Sequence, residues 1–232
     1  RLGDTWSGNA AAMSKFRDAK YDAGLIYAEW PASEKSPVIE LNSRFATRDR
    51  QINFKRPNSA VNENNETLNL YLAPTAPIPT DGIVADTSRV ITLGMKQDTD
   101  KARAIYEWIV ENTFRDPKVK GCGLGDIRAM LETRNLGGKC ADLNALYVGL
   151  ARAAGLPARD IYGVRCAPSA EFKSLGRGGD ITKAQHCRAE VYHTGYRWLP
   201  VDPADVRKVV LEEKPEGLSL QDPITKKARA KL

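Results

Sequence analysis

Histidine is scarce in this chain: only His186 and His193 occur in 232 residues, and residues 1–95 contain neither histidine nor cysteine. Chemistry that needs an imidazole or a thiol is therefore confined to the C-terminal part. No apolar run approaches the ~18 residues of a bilayer span, so no segment reads as transmembrane. Four cysteines, Cys122, Cys140, Cys166 and Cys187, are too few and too irregular for a disulfide scaffold or a zinc ribbon. His186 with Cys166 and Cys187 lacks metal-ligand spacing, so no metal site is expected. An acidic loop of the EF-hand kind is missing too. The balance of 35 Lys+Arg against 29 Asp+Glu gives +6 without a basic cluster interleaved with aromatics or glycines, which argues against nucleic acid as a partner. The basic run Lys226, Lys227, Arg229 and Lys231 reads as a solvated tail. A chain that begins at Arg1 rather than Met reads as a processed or trimmed form. Export, periplasmic or extracellular, is slightly favoured over the cytoplasm, and the oligomeric state is left open.

What is present is an ordinary globular composition, 42% hydrophobic and 28% charged, in a chain long enough to bury a full core. The most informative stretch is Gly137-Gly138-Lys139-Cys140-Ala141-Asp142. Two glycines turn the chain, and behind Cys140 the residues Leu143, Leu146, Tyr147, Leu150, Ala151 and Ala154 recur with the helical period. Gly155 and Pro157 stop that helix. A thiol in its first turn feels the positive end of the helix dipole, which favours thiolate.

Along the rest of the chain, Ala11 to Trp30 reads as a helix ended by Pro31. Residues 37–93 read as a small β layer, with strand-like Val38-Leu41, Gln51-Phe54 and the alternating Thr67-Leu72, and a polar hairpin loop from Pro57 to Glu66. A helix with Ala102, Ile105, Tyr106 and Ile109 inward runs to Asn112, capped by Asp98 or Thr99; a short one covers Asp126-Thr133. Ile161-Cys166 reads as a strand, and Ala167-Gln185 as a long loop of the functional or mobile kind. Three segments follow: an N-terminal extension over 1–95, helical then β-rich; a core over 96–210; and a C-terminal tail over 211–232.

His186 opens a strand to Tyr192, and Arg197-Asp202 reads as its antiparallel partner. A three-residue loop, His193-Thr194-Gly195, pairs Tyr192 with Tyr196 and therefore His186 with Asp202. A two-residue turn would place those side chains less directly. Pro203 ends the strand and holds Asp202 extended. A nucleophilic cysteine needs a base, and the base needs a group that orients it. Cys140, His186 and Asp202 are the candidates. A non-catalytic binding module is the competing class.

Gly138-x-Cys140-x-Asp142, the run Leu150-Ala151-Arg152-Ala153-Ala154-Gly155-Leu156-Pro157, His186-x-x-x-Glu190-Val191-Tyr192 and Trp198-Leu199-Pro200-Val201-Asp202-Pro203 together resemble the transglutaminase-like superfamily, a relative of the papain-type cysteine proteases. The resemblance covers about Thr99 to Ala204. It implies an α+β fold: a transglutaminase-like, papain-like core with the catalytic cysteine at a helix N-terminus packed on an antiparallel β-sheet, preceded here by a small β-rich N-terminal region. It implies Cys140 as nucleophile, His186 as general base and acid, and Asp202 as the orienting carboxylate, acting on a protein or peptide substrate. It requires no cofactor; calcium, used by some relatives, is left open. A thioester on Cys140 would be resolved by water in a peptidase or amidase and by a primary amine in a transglutaminase, with hydrolysis slightly ahead. The family often has an aromatic two residues after the histidine, where this chain has Arg188. Arg188 and Trp198 are the candidate substrate-binding residues.

Overall fold

The helix behind the two glycines, α5 (Cys140–Ala153), is buried all round: every residue from Cys140 to Arg152 is shielded from solvent. The apolar stripe seen in the sequence is thus only part of its contact surface. Leu143, Leu146, Leu150, Tyr147 and Val148 are completely enclosed. Each such side chain contributes about 1.5–3 kcal/mol relative to exposure. The computed structural model describes residues 3–46, 52–57 and 62–232, and these form two compact units, 1–52 and 53–232. This division falls at residue 52, whereas the sequence reading drew its first boundary at 95.

The helices and strands of the first unit, among its described residues, are four strands and no helix. β1 (Gly3–Gly8) pairs antiparallel with β4 (Ile39–Arg44), and β2 (Ala12–Arg17) with β3 (Gly24–Glu29). The helix expected over Ala11–Trp30 is therefore a β-hairpin. Its turn is built by Asp18, whose N–H donates to the Ala23 carbonyl at 2.9 Å and whose Oδ2 accepts the Tyr21 N–H at 2.5 Å, with Asp22 at φ 53. The loosely spaced apolar residues there carry no strict period, so turn chemistry decides.

In the second unit the β layer expected up to residue 93 is largely helical. Asn64 caps α1 (Asn65–Leu72) by accepting the Thr67 N–H at 2.7 Å. Leu68 and Leu72 fit a helical spacing as well as a strand alternation over so short a run, and the cap settles it. Near the proposed strand Gln51-Phe54, Gln51 lies outside the described residues, Ile52 and Asn53 are not strand and Phe54 lies in a turn; residues 58–61 of the proposed hairpin loop also lie outside the described set. α2 (Gly82–Ile91) follows, burying Val84 and Ser88, with Ser88 Oγ donating to the Leu150 carbonyl at 2.8 Å.

α3 (Asp98–Asn112) ends at Asn112 as expected and buries Ile105, Tyr106, Ile109 and Val110. Its N-cap is Gln97, without a side-chain cap hydrogen bond, rather than Asp98 or Thr99, which fall inside the first turn. β5 (Phe114–Arg115), α4 (Ile127–Thr133, capped by Asp126) and β6 (Gly137–Gly138) then lead into α5. β5 and β6 pair in parallel, whereas the three-stranded antiparallel sheet is β7 (Ala158–Val164), β8 (Gln185–His193) and β9 (Arg197–Val201), in the order β7-β8-β9. α5 packs on this sheet, giving the expected α+β arrangement of a cysteine-bearing helix against antiparallel strands. No described helix is long and apolar enough to cross a membrane.

The C-terminal stretch expected as a tail is structured. After α6 (Pro203–Glu212), α7 (Pro223–Lys231) buries Thr225 and Ala228 completely. Three of its four basic residues are paired: Arg229 with Glu107 and Glu111, Lys227 and Lys231 with Glu171. Asp222-Pro223 supplies a cap and an N1 proline, so a short apolar face beneath many lysines is enough to dock the helix.

Candidate active site

Cys140 is the first residue of α5 and only 6% exposed. Asp142, two residues on, organises the turn before it. Its Oδ2 accepts the Lys139 N–H at 2.9 Å, and its Oδ1 accepts the Gly125 N–H, also at 2.9 Å. Glycine is required around this carboxylate. A Cβ on Gly123, which sits at φ +99, would lie 1.9 Å from the Asp142 carboxylate, and one on Gly138 would lie 2.5 Å from its Cβ. The Ala141 N–H donates to the Cys122 carbonyl at 2.9 Å, so residues 121–125 close over the head of α5. The Cys140 N–H makes no hydrogen bond among the described residues and stays free at the positive end of the helix. Asp142→Ala leaves one buried and one half-buried N–H group without an acceptor. The expected cost is about 2–4 kcal/mol, read as a lower midpoint in denaturant unfolding, with slower alkylation of Cys140 as the turn loosens.

His186, half-buried on β8, lines the same cavity as Cys140, close enough for each side chain to shift the other's protonation. Its Nε2 lies 2.6 Å from Asp202 Oδ2, which leaves Nδ1 as the ring nitrogen for the thiol. The three sequence-chosen residues are therefore brought together, but not by the register expected. The ladder pairs Tyr192 with Trp198 and His193 with Arg197, two residues out from the sequence alignment, and it ends at Ala189↔Val201. The loop is Thr194-Gly195-Tyr196, with Gly195 at φ 88 and Arg197 at φ 63. A shift of two keeps every side chain on its face, so the strand assignments survive while the opposite partner changes. His186 and Asp202 meet because Asp202 leaves the strand. It is the N-cap of α6, its Oδ1 accepting the Asp205 N–H at 3.1 Å, with Pro203 at N1. Its own N–H donates to the Leu232 carbonyl at 2.8 Å, so the end of the described chain helps to seat it.

Several contributors went unread in the sequence. Asn144, one turn beyond Cys140 and fully buried, donates from Nδ2 to the Cys187 carbonyl at 2.6 Å and to Asp202 Oδ1 at 3.2 Å. An amide in an otherwise apolar stripe was its only sequence signal. Asp205 Oδ1 lies 3.7 Å from His186 Nε2, and Arg165 pairs with Asp205 and approaches Asp202 at 3.9 Å. Cys122 and Cys187 place their sulfurs within 4.8 Å of Cys140 and of each other, all as free thiols. Arg188 and Trp198 are not among the residues lining the cavity beside Cys140. Arg188 is exposed, 3.8 Å from Glu190. Trp198 is buried against Tyr71 and Tyr192, beneath the Arg159 guanidinium at 4.0 Å, with Nε1 donating to Glu63 at 3.0 Å.

The electrostatics follow from these contacts. The Cys140 thiol is brought down to about 3, by the Cys187 hydrogen bond and then by His186, against the opposing effect of burial. Burial works to lower His186, but the hydrogen bond it donates to Asp202, its interaction with Cys140 and the charges of Asp202 and Asp205 raise it to about 9. Between those values the stable form is a thiolate facing an imidazolium. Cys187 is pushed far up by its hydrogen bond to Cys140 and by burial, and Cys122 is raised by burial and by the Cys140 charge. Burial and the neighbouring Asp202 bring Asp205 up to about 6. The three sulfurs, or His186 with Asp202 and Asp205, are close enough to hold a cation. In the second set His186 Nε2 and Asp202 Oδ2 already share a 2.6 Å hydrogen bond.

Residues 85–203 match the family model of the transglutaminase-like superfamily. An uncharacterized protein of Haemophilus influenzae is 35% identical over 212 residues, 84% of this chain; the match spans 57% of the relative's own length. A candidate cysteine protease from Cytophaga hutchinsonii shares the fold at a TM-score of 0.56 and 16% identity, over 91% of this chain and 68% of that one. The periplasmic domain of TgpA from Pseudomonas aeruginosa aligns at a TM-score of 0.47 and 18% identity, over 67% of this chain and 54% of that one.

Proposed function

This chain belongs to the transglutaminase-like superfamily, and from that premise we propose that it cleaves peptide or carboxamide bonds through a thioester on Cys140 that water resolves. The observation that carries the proposal is the 2.6 Å contact between the His186 imidazole and the Asp202 carboxylate, with His186 lining the same cavity as Cys140 at the head of α5. The Cys140 thiolate attacks the carbonyl carbon. The oxyanion forms beside the free Cys140 N–H, where a fixed donor at a helix N-terminus stabilises charge as it develops. The His186 imidazolium then gives its proton to the departing amine, and the neutral imidazole takes one from the water that attacks the thioester. Asp202 holds the ring in orientation and balances its charge.

Transfer to a primary amine is the alternative, because the first half of the reaction is common to both. A denatured, glutamine-containing protein incubated with the enzyme, a fluorescent primary amine and ¹⁸O-labelled water separates them. Hydrolysis is expected to give products carrying the heavy oxygen at new carboxyl groups and little fluorescence. Fluorescent glutamine side chains would instead assign amine transfer. Neither product, from protein whose Cys140 is alkylatable, would favour a binding module.

A further inference from the structure

A cavity of about 430 Å³ opens beside Cys140 and His186. Its wall holds six cationic side chains, Arg115, Lys139, Arg165, Arg177, Lys183 and Lys208, and a single acidic one, Asp205. A charge run on one helix face would be an ordinary solvated surface. These six come from separate places in the chain: β5, the N-cap of α5, the loop between β7 and β8, and α6. They converge only in the folded protein.

Part of that charge is matched. Arg165 pairs with Asp205 and approaches Asp202, while Arg115 and Lys208 share Glu212. Lys139, Arg177 and Lys183 form no ion pair among the described residues, although Arg177 contributes, behind Thr182, to holding the exposed Asp180 carboxyl below its usual range. The positive end of α5 and the His186 imidazolium face the same space, with the Cys140 thiolate as their counter-charge. The loop carrying Arg177 and Lys183 is anchored rather than loose. Phe172 and Leu175 are buried, and Glu213 accepts hydrogen bonds from the Lys173 and Ser174 N–H groups. Like charges gathered in a cleft focus their field, and an anion entering it relieves their mutual repulsion.

We infer that the acyl substrate is an acidic peptide segment, with Asp or Glu flanking the bond presented to Cys140. The inference rests on the proposed thiolate chemistry, and it can be tested without knowing the natural substrate. Iodoacetate and iodoacetamide alkylate the same sulfur but differ by one negative charge. The ratio of their second-order rate constants at Cys140, measured at pH 6 and low salt by peptide mapping, is compared with the ratio at the exposed Cys166 of the same chain.

A ratio at Cys140 at least about fivefold above that at Cys166 is expected, since each exposed pairing is worth a factor of a few. It should fall towards the Cys166 value in 0.5 M salt, where the screening length is about 4 Å. His186 and the helix dipole attract iodoacetate as well, so the decisive comparison is Arg177→Glu/Lys183→Glu. That variant should lose at least about threefold of the preference at an unchanged thermal midpoint. Should it fail to fold, the separate Arg177→Gln and Lys183→Gln variants make the comparison. In a panel of otherwise identical peptides, those with Asp or Glu beside the scissile bond should be cleaved about tenfold more efficiently, in kcat/KM, than those with Lys. A ratio equal to that of Cys166, or one unmoved by salt and by the variants, would overturn the inference and leave the thiolate chemistry standing. A Cys140 that reacts with neither reagent would overturn the thiolate chemistry and the inference together.

Discussion

Cys140→Ala is expected to lower peptide turnover by about 10⁴-fold or more while the chain stays folded. Removing one member of a nucleophile–base unit abolishes the covalent route, and what remains is the background from binding and oxyanion donors. The substitution takes one sulfur from a 6% exposed site and adds no volume, so its stability cost is about 1 kcal/mol. The neighbouring thiols are poor replacements. Cys187 and Cys122 are both held up rather than down, so neither is a thiolate at neutral pH. Turnover is read with a quenched-fluorescence peptide beside Cys166→Ala, whose exposed thiol does not line the cavity and whose loss should change little. Activity of Cys140→Ala within tenfold of the parent would remove Cys140 from the chemistry.

Asp202→Asn is expected to cost about 10²–10⁴-fold in turnover and to move the alkaline limb of the pH–rate profile downward. Asparagine keeps an oxygen for the α6 N-cap, so the variant removes charge more than fold. The sign follows from the two partners. Activity needs the thiolate and the imidazolium together: it rises as Cys140 loses its proton near 3 and falls as His186 loses its own near 9. Burial alone pulls His186 down, and Asp202 supplies the hydrogen bond and much of the charge that overcome it. Without the carboxylate, the limb near 9 should shift to lower pH by a unit or more, in turnover and in the alkylation rate of Cys140. A limb that stays in place while turnover falls would make Asp202 a structural cap only.

How much of this could be read from the sequence depended on the range of the force concerned. α3, α4 and α5 were legible because their period and stop signals lie within one segment, as in Gly155-Pro157 ending α5, although the cap of α3 is Gln97 and not Asp98 or Thr99. The segment over Ala11–Trp30 failed for the converse reason: its apolar residues follow no clear period, and the Asp18–Asp22 turn chose a hairpin. Thr67–Leu72 was too short to distinguish a period of two from one of 3.6, and the Asn64 cap decided it.

The sequence by itself determined the glycine turn, the cysteine at the head of a buried helix, the two strands after His186, and an aspartate before a proline. Those features are local, set by backbone sterics, caps and periodicity. Only the tertiary structure decided which partners meet. Asp202 reaches His186 as the cap of α6 rather than through strand register, held by Asn144 and by the Leu232 carbonyl. Three thiols scattered over 66 positions, from Cys122 to Cys187, converge within 4.8 Å, and cations from four segments line one cavity. Such meetings depend on how α5, α6 and the sheet pack, and side-chain burial between distant elements leaves no period in the chain to announce it. The thiol at the head of α5 was therefore visible from the start, whereas the charge that surrounds it was not.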